Sequence, residues 1–353
     1  MRRNVALCCT MVCMLYNCSV YSAVIYDKDN SKLTLSGEID GRRFILNELG
    51  DKTTAKLKMY GETHVNSSLD AYGAFTQKFK LNDSSNGSST FTDMAYAGIK
   101  NKSFGSIDYG RNYGLLHDVS TWTDLAPIYG GTYSCKDNFM AGKANSLFTY
   151  RNYFSNGFGI GVQYQASNDS DGQVNISRDN GEGASTSISY DVPDLGLSFI
   201  AAYSNSKLTG SQSVNLANGA KRASAWTSGI KYEQNNIYLA ATYAETRHMT
   251  KLIGQGGSEF ANKTQNIELA AQYNFDVGIV PTIEYLQSKA MDTTYGDFYQ
   301  KKDLALGLEY VPVRDLRFYV AYNFNLLNEN DRTVKQRSID TDNTAGVGVK
   351  YKF

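Results

Sequence analysis

Cysteine, histidine, proline and tryptophan are all scarce: 353 residues include only five, three, four and two of them. Four of the cysteines (Cys8, Cys9, Cys13 and Cys18) crowd the start of the chain, and only Cys135 lies beyond them. A lone cysteine cannot close an internal disulfide, so an exported chain would need other means of stabilisation. Average usage would give about 5% Pro, and so little of it excludes a Pro-rich linker protein. The histidines are His64, His117 and His248, and there is no Gly-x-Ser-x-Gly elbow to accompany them. With no nucleotide loop, calcium loop or metal-spaced Cys/His cluster either, the chain offers no catalytic constellation, cofactor site or metal site. Net charge is absent too. The 35 bases balance 35 acids, which removes any electrostatic case for a nucleic-acid partner. A mean hydropathy of −0.40 excludes a bundle of membrane helices, but not strands that are apolar on one face only.

What is present begins with an address. Arg2 and Arg3 precede an apolar run from Val5 to Tyr16, followed by small and polar residues. This is the layout of a secretory signal. Val20-Tyr21-Ser22 puts the cleavage site before Ala23, which divides the chain into a signal peptide, 1–22, and a barrel domain, 23–353. The apolar run is too short for a bilayer anchor. Cys18 raises the idea of a lipoprotein, but Leu15-Tyr16-Asn17 puts bulky residues where that processing wants small ones.

The remainder reads as strands throughout. Leu197, Phe199, Ala201 and Tyr203 alternate with smaller or polar residues, as do Ile237, Leu239, Ala241 and Tyr243. The pattern returns at Ile267–Tyr273, Leu304–Tyr310, Leu316–Tyr322 and Val347–Phe353. A period of two places each set on one face of its strand. The opposite faces carry Glu268, Gln272, Glu309, Arg317, Tyr319 and Asn323. Periodicity does not say which face is inside, because a soluble sandwich and a membrane barrel both alternate. Loop lengths do say. Sixteen strand candidates are joined alternately by short turns, such as Asn66–Ser68 and Gln234–Asn236, and by long connections, such as Asn112–Gly142, Ser167–Gly183 and Asn325–Thr341. Long loops at one rim and short turns at the other mark an up-and-down transmembrane barrel. An even strand number lets the sheet close without an edge, as lipid requires. The fold class expected is therefore all-β, a sixteen-stranded antiparallel transmembrane β-barrel, wide enough for an aqueous lumen.

Particular residues narrow this further. Phe104-Gly105-Ser106-Ile107-Asp108-Tyr109-Gly110-Arg111-Asn112-Tyr113-Gly114 resembles the fifth strand of the enterobacterial general diffusion porins. The likeness continues at Asp118, Trp122-Thr123-Asp124, Pro127-Ile128-Tyr129-Gly130-Gly131 and Thr149-Tyr150-Arg151-Asn152. Further matches are Asn235–Ala241, Tyr285–Lys289 and Thr341–Asn343, and the terminal Phe353 matches the aromatic that the barrel-assembly machinery reads in that family. The resemblance implies a homotrimer of such barrels, set in outer-membrane lipid and lipopolysaccharide, passing small hydrophilic solutes and ions passively. It also implies that the third long loop, Asn112–Gly142, folds inward to narrow each pore.

At such a constriction, loop acids facing wall bases set up a transverse field across a narrow aperture. The resemblance places Asp124, Ile128 and Tyr129 on the loop, and Lys56, Asp93, Lys143 and Glu38 on the wall. Asp124 keeps the family's loop acid, whereas Ile128 stands where a second acid is usual and Thr132 where a further one is often found. Lys56 and Lys143 replace arginines, keeping the charge but losing the rigid fork. Asp93 replaces a third arginine and Glu38 a lysine. Acids then outnumber bases at these positions, and a cation-preferring pore is expected. The plain alternative for each charge is a solvated lumen side chain. His117 is expected to stand in for an aromatic, and Cys135 to be a buried small residue. Two other channel classes are a solute-specific pore and a closed structural or adhesive barrel. The first would need a track of lumenal aromatics, for which Tyr238 and Tyr319 are too few.

Overall fold

The computed structural model describes residues 23–46, 50–81, 90–128, 131, 138–168, 178–213, 219–255 and 259–353. The proposed signal peptide, Tyr129, Thr132 and Cys135 lie outside the described residues. The strands are β1 (Ala23–Lys28), β2 (Ser31–Leu46), β3 (Thr54–Asn66), β4 (Leu69–Lys80), β5 (Thr90–Asn101) and β6 (Gly105–Tyr113). Next come β7 (Lys143–Tyr153), β8 (Phe158–Gln165), β9 (Gly183–Val192), β10 (Leu197–Lys207), β11 (Arg222–Gln234) and β12 (Ile237–Arg247). The last are β13 (Lys263–Tyr273), β14 (Ile279–Met291), β15 (Phe298–Val313), β16 (Leu316–Asn325) and β17 (Thr344–Lys352).

From β2 onward each strand pairs antiparallel with the next. Pairing of β17 with β2 closes the ring at sixteen strands. The extra strand, β1, is the arm that completes the seam. It folds back on Ser31–Leu35, while β17 takes Glu38–Leu46 and Phe353 exchanges backbone hydrogen bonds with Gly37 between them.

The alternation resolves which face is inside. In β8, Phe158, Ile160, Val162 and Tyr164 are exposed while Gly159, Gly161, Gln163 and Gln165 are buried. The same inversion runs through β10, where Phe199, Ala201 and Tyr203 are exposed and Ser198, Ala202 and Ser204 are buried. A soluble sandwich would bury the aromatics; a membrane barrel turns them to lipid.

The short turns are written into the sequence. Asn235 and Asn236 both take positive φ (53° and 64°), the backbone of a two-residue hairpin turn that Asn tolerates. At another turn, Asn101 Oδ1 accepts from the N–H groups of Ser103 and Phe104 at 2.8 and 3.1 Å. The long connections hold what period-two reading missed: helices α1 (Leu115–Ser120), α2 (Gly210–Ser213) and α3 (Arg332–Gln336). Each is too short for a 3.6-residue pattern to register, so the expectation of strands alone is corrected. The connection expected over Met291–Lys301 is shorter, because β15 starts at Phe298.

Candidate functional site

The third long connection, between β6 and β7, is closed at its base by Gly114 N–H donating to the Gly142 carbonyl at 2.8 Å. A Cβ at Gly114 would lie 2.0 Å from the Met140 carbonyl oxygen, so the crossing of the two ends requires glycine. Helix α1 follows, and the Asp118 carboxylate takes the Arg151 guanidinium at 3.0 Å to each oxygen. His117 lies against Tyr113 with ring centroids 4.0 Å apart, the ring contact expected of an aromatic stand-in. Burial, with Lys143 and Arg151 adding to it, pushes its imidazole down to about 3, so the ring stays neutral.

Beyond α1 the connection runs along the lumen face of the wall. Leu116, Val119 and Trp122 pack with Ala223 and Ala225 of β11 and Ala240 and Ala244 of β12. A Cβ at Gly229 would come 3.1 Å from the Trp122 ring, and Tyr238 donates its hydroxyl to the Trp122 carbonyl at 2.8 Å. Thr123 Oγ1 donates to Glu268 Oε2 at 2.7 Å. One oxygen of Glu284 accepts from the backbone N–H groups of both Leu125 and Ala126. Pro127 rests over Gly307 and Ile128 over Gly346, where added Cβ atoms would come within 3.1 and 2.8 Å of them. Two backbone N–H groups of this irregular stretch are satisfied by one wall carboxylate, and its next two residues are seated on wall glycines.

Asp124 is exposed to the lumen and has no ion pair among the described residues. Desolvation by the enclosing wall pushes its carboxyl up; Glu268 adds to this and Lys301 opposes it. The wall residues expected from sequence form two ion pairs. Lys56 Nζ lies 2.8 Å from Glu38 Oε1, its cross-strand partner. Lys143 Nζ lies 2.6 Å from Asp93 Oδ1. The register skips Asp93, since Thr76 pairs with Met94 and Gln77 with Thr92, and this irregularity seats the acid beside Lys143. Ile128, in the position of a second acid, makes an apolar contact instead.

Sequence reasoning missed a third group on the same wall. Arg42 Nη2 lies 2.7 Å from Asp40 Oδ2, and its Nε donates to Tyr319 Oη at 3.2 Å. Tyr319 donates in turn to Asp40 Oδ1, and Lys350 Nζ approaches Oδ2 at 3.6 Å. Lys78 sits opposite Lys56 in the ladder. The signal was available: Glu38, Asp40 and Arg42 are spaced by two and share a face. Tyr238 and Tyr319 are thereby committed to the loop and the wall, so they form no aromatic track.

A closed ring that is apolar outside and charged inside defines an outer-membrane channel barrel. The chain belongs to the Gram-negative porin family, whose model matches residues 28–353. It is 39% identical to outer membrane protein F of Serratia marcescens over the whole of both chains. It is 40% identical to outer membrane porin N of Escherichia coli K12, over 95% of this chain and 96% of that one. The structure of Salmonella typhi OmpF in complex with daunomycin superposes with a TM-score of 0.85 at 38% identity, over 94% of this chain and 100% of that one. The protein is a water-filled diffusion channel of the outer membrane and not an enzyme.

Proposed function

We propose that this porin passes small hydrophilic solutes and ions through a lumen narrowed by the inward-folded third loop, with a preference for cations. The observation that carries the reading is the run of contacts from Trp122 to Ile128 along the inner wall, opposite the charged strands β2–β5 and β7. The wall bases Lys56, Lys143 and Arg42 each have a carboxylate within 2.8 Å. Pairing cancels part of the wall's positive field, and Lys78, set opposite Lys56 in the ladder, adds to what is left. On the loop side Asp124 stands beside Glu268, and Lys301 is the base that opposes it. The bias toward cations therefore comes from the loop side, in a transverse field weaker than a fully arginine-lined wall would give. Asp124, Ile128, Tyr129, Lys56, Asp93, Lys143 and Glu38 are the constriction residues of this reading, joined by Arg42, Asp40 and Lys78.

The wider assignment is a homotrimer in a lipopolysaccharide-bearing bilayer, made as a precursor whose residues 1–22 are removed to leave domain 23–353. Phe353 serves as the mark for the barrel-assembly machinery; its place in the seam beside Gly37 fits a residue read as the last strand closes. The test is single-channel recording in a planar bilayer with a reversal potential under a salt gradient. Ohmic steps closing in threes with cation preference support the reading. Anion preference overturns the charge assignment, and a silent folded barrel overturns the open lumen.

A further inference from the structure

At the short-turn rim, Glu62 and His64 on β3 and Asp70 on β4 bring one oxygen or nitrogen ligand atom each to within 4.8 Å of one another. We propose that these three residues form a binding site for a borderline divalent transition metal of the zinc and copper type, at the turn-side mouth of the lumen. The placement follows from register: His64 lies opposite Asp70, and Glu62 is two residues away on the same face of β3. His64 Nδ1 and Asp70 Oδ1 are already in direct contact, the proton of their hydrogen bond occupying a position a metal would take. Beside them is an open recess of about 360 Å³ lined by His64, Asp70, Asn66 and Lys102, which gives an ion access.

The donor chemistry selects the class of ion. An imidazole nitrogen with two carboxylates suits zinc or copper, whereas calcium and magnesium favour all-oxygen shells. Three protein ligands leave a coordination position for water. Two bases lie nearby, Lys102 on the recess and Lys100, whose Nζ lies 2.7 Å from Glu62 Oε2 and 3.9 Å from Asp70 Oδ2. Tyr60 donates to that same Glu62 oxygen at 2.9 Å. Lys100 and Tyr60 therefore engage Oε2 of Glu62, and the metal is assigned Oε1 together with Asp70 Oδ1 and His64 Nδ1. Lys100 holds the two carboxylates in place while its charge weakens the affinity for a second cation.

The test is calorimetric titration of the untagged, detergent-solubilised barrel with zinc chloride, alongside H64Q and D70N. His64 is exposed, so H64Q leaves the packing intact. One zinc per chain is expected, with affinity lowered about tenfold or more in each variant. Copper(II) in place of zinc should give an electron paramagnetic resonance spectrum with coupling to one nitrogen, lost in H64Q. Equal zinc binding by all three proteins, or a copper spectrum unchanged in H64Q, overturns the site. Both readouts are taken without any current, so their failure is separate from failure of the channel reading.

Discussion

Replacing Asp93 by arginine tests the charged wall most directly. The substitution removes the acid 2.6 Å from Lys143 and adds a base, a change of two charge units on one strand. An ion passing about 6 Å away feels about 0.7 kcal/mol per unit charge in water, hence about 1.4 kcal/mol for the change. Screening over a Debye length of about 10 Å at 0.1 M salt reduces this by roughly half. The effect has opposite sign for cations and anions, so their permeability ratio should fall about tenfold. The assay is the reversal potential of D93R in a salt gradient, which should move toward the anion side. Arginine beside Lys143 also replaces an ion pair with a repulsion, in a place where Asp93 is only 5% exposed. Breaking such a pair costs about 3 kcal/mol or more when fully buried, and less here because Lys143 is wetter. The control is therefore D93R/K143D, which restores a pair and the original net charge, and should return the reversal potential toward the wild-type value. A folded D93R barrel with an unmoved potential would refute the placement of Asp93 beside the conducting path.

Other outcomes follow from the same geometry. In E284A, Leu125 and Ala126 lose their shared acceptor, worth about 1 kcal/mol per bond. Liposome swelling should then admit larger sugars, and an unchanged size limit would mean that the loop is held without Glu284. Gly346→Val puts a side chain against Ile128, where a Cβ alone would come within 2.8 Å. This should displace the loop tip and change single-channel conductance, whereas Gly210→Ala, with open space around it, should leave conductance unaltered. Because desolvation raises the Asp124 carboxyl, that acid gains its proton at a higher pH than a free aspartate as pH falls from 7. Cation preference should decline in that direction, and D124N should remove the decline. If D124N titrates like the wild type, another acid governs the pH response.

Several features were legible in the residues themselves. Alternation such as Phe199, Ala201 and Tyr203 against Ser198, Ala202 and Ser204 specifies strands, because a strand's side-chain period is two whatever it packs against. Asn235-Asn236 specifies a tight hairpin, because both residues tolerate positive φ. The alternation of short and long connections points to a membrane barrel, because only such a barrel needs one rim of turns and one of loops. The short helices were not legible, since a turn or so of helix carries too few residues for a period.

Pairing belongs to the tertiary structure. Asp93 meets Lys143 across 50 positions of sequence through the register of β4 to β7, and Arg42 meets Tyr319 across 277 through a ring that closes only when β17 returns to β2. Counting charges in the sequence gave the balance at the expected positions but not their cancellation in pairs, nor the part played by Arg42, Asp40 and Lys78. Nothing near Glu284 in the chain marks it as the acceptor for the N–H groups of Leu125 and Ala126, which only the fold brings to it. The sequence alone determined a sixteen-stranded, lipid-facing barrel, because strand period and turn chemistry act between near neighbours. Which charges face the ion unpaired was decided only by strand register and barrel closure together, because Coulomb interactions depend on distance in space and not on separation along the chain.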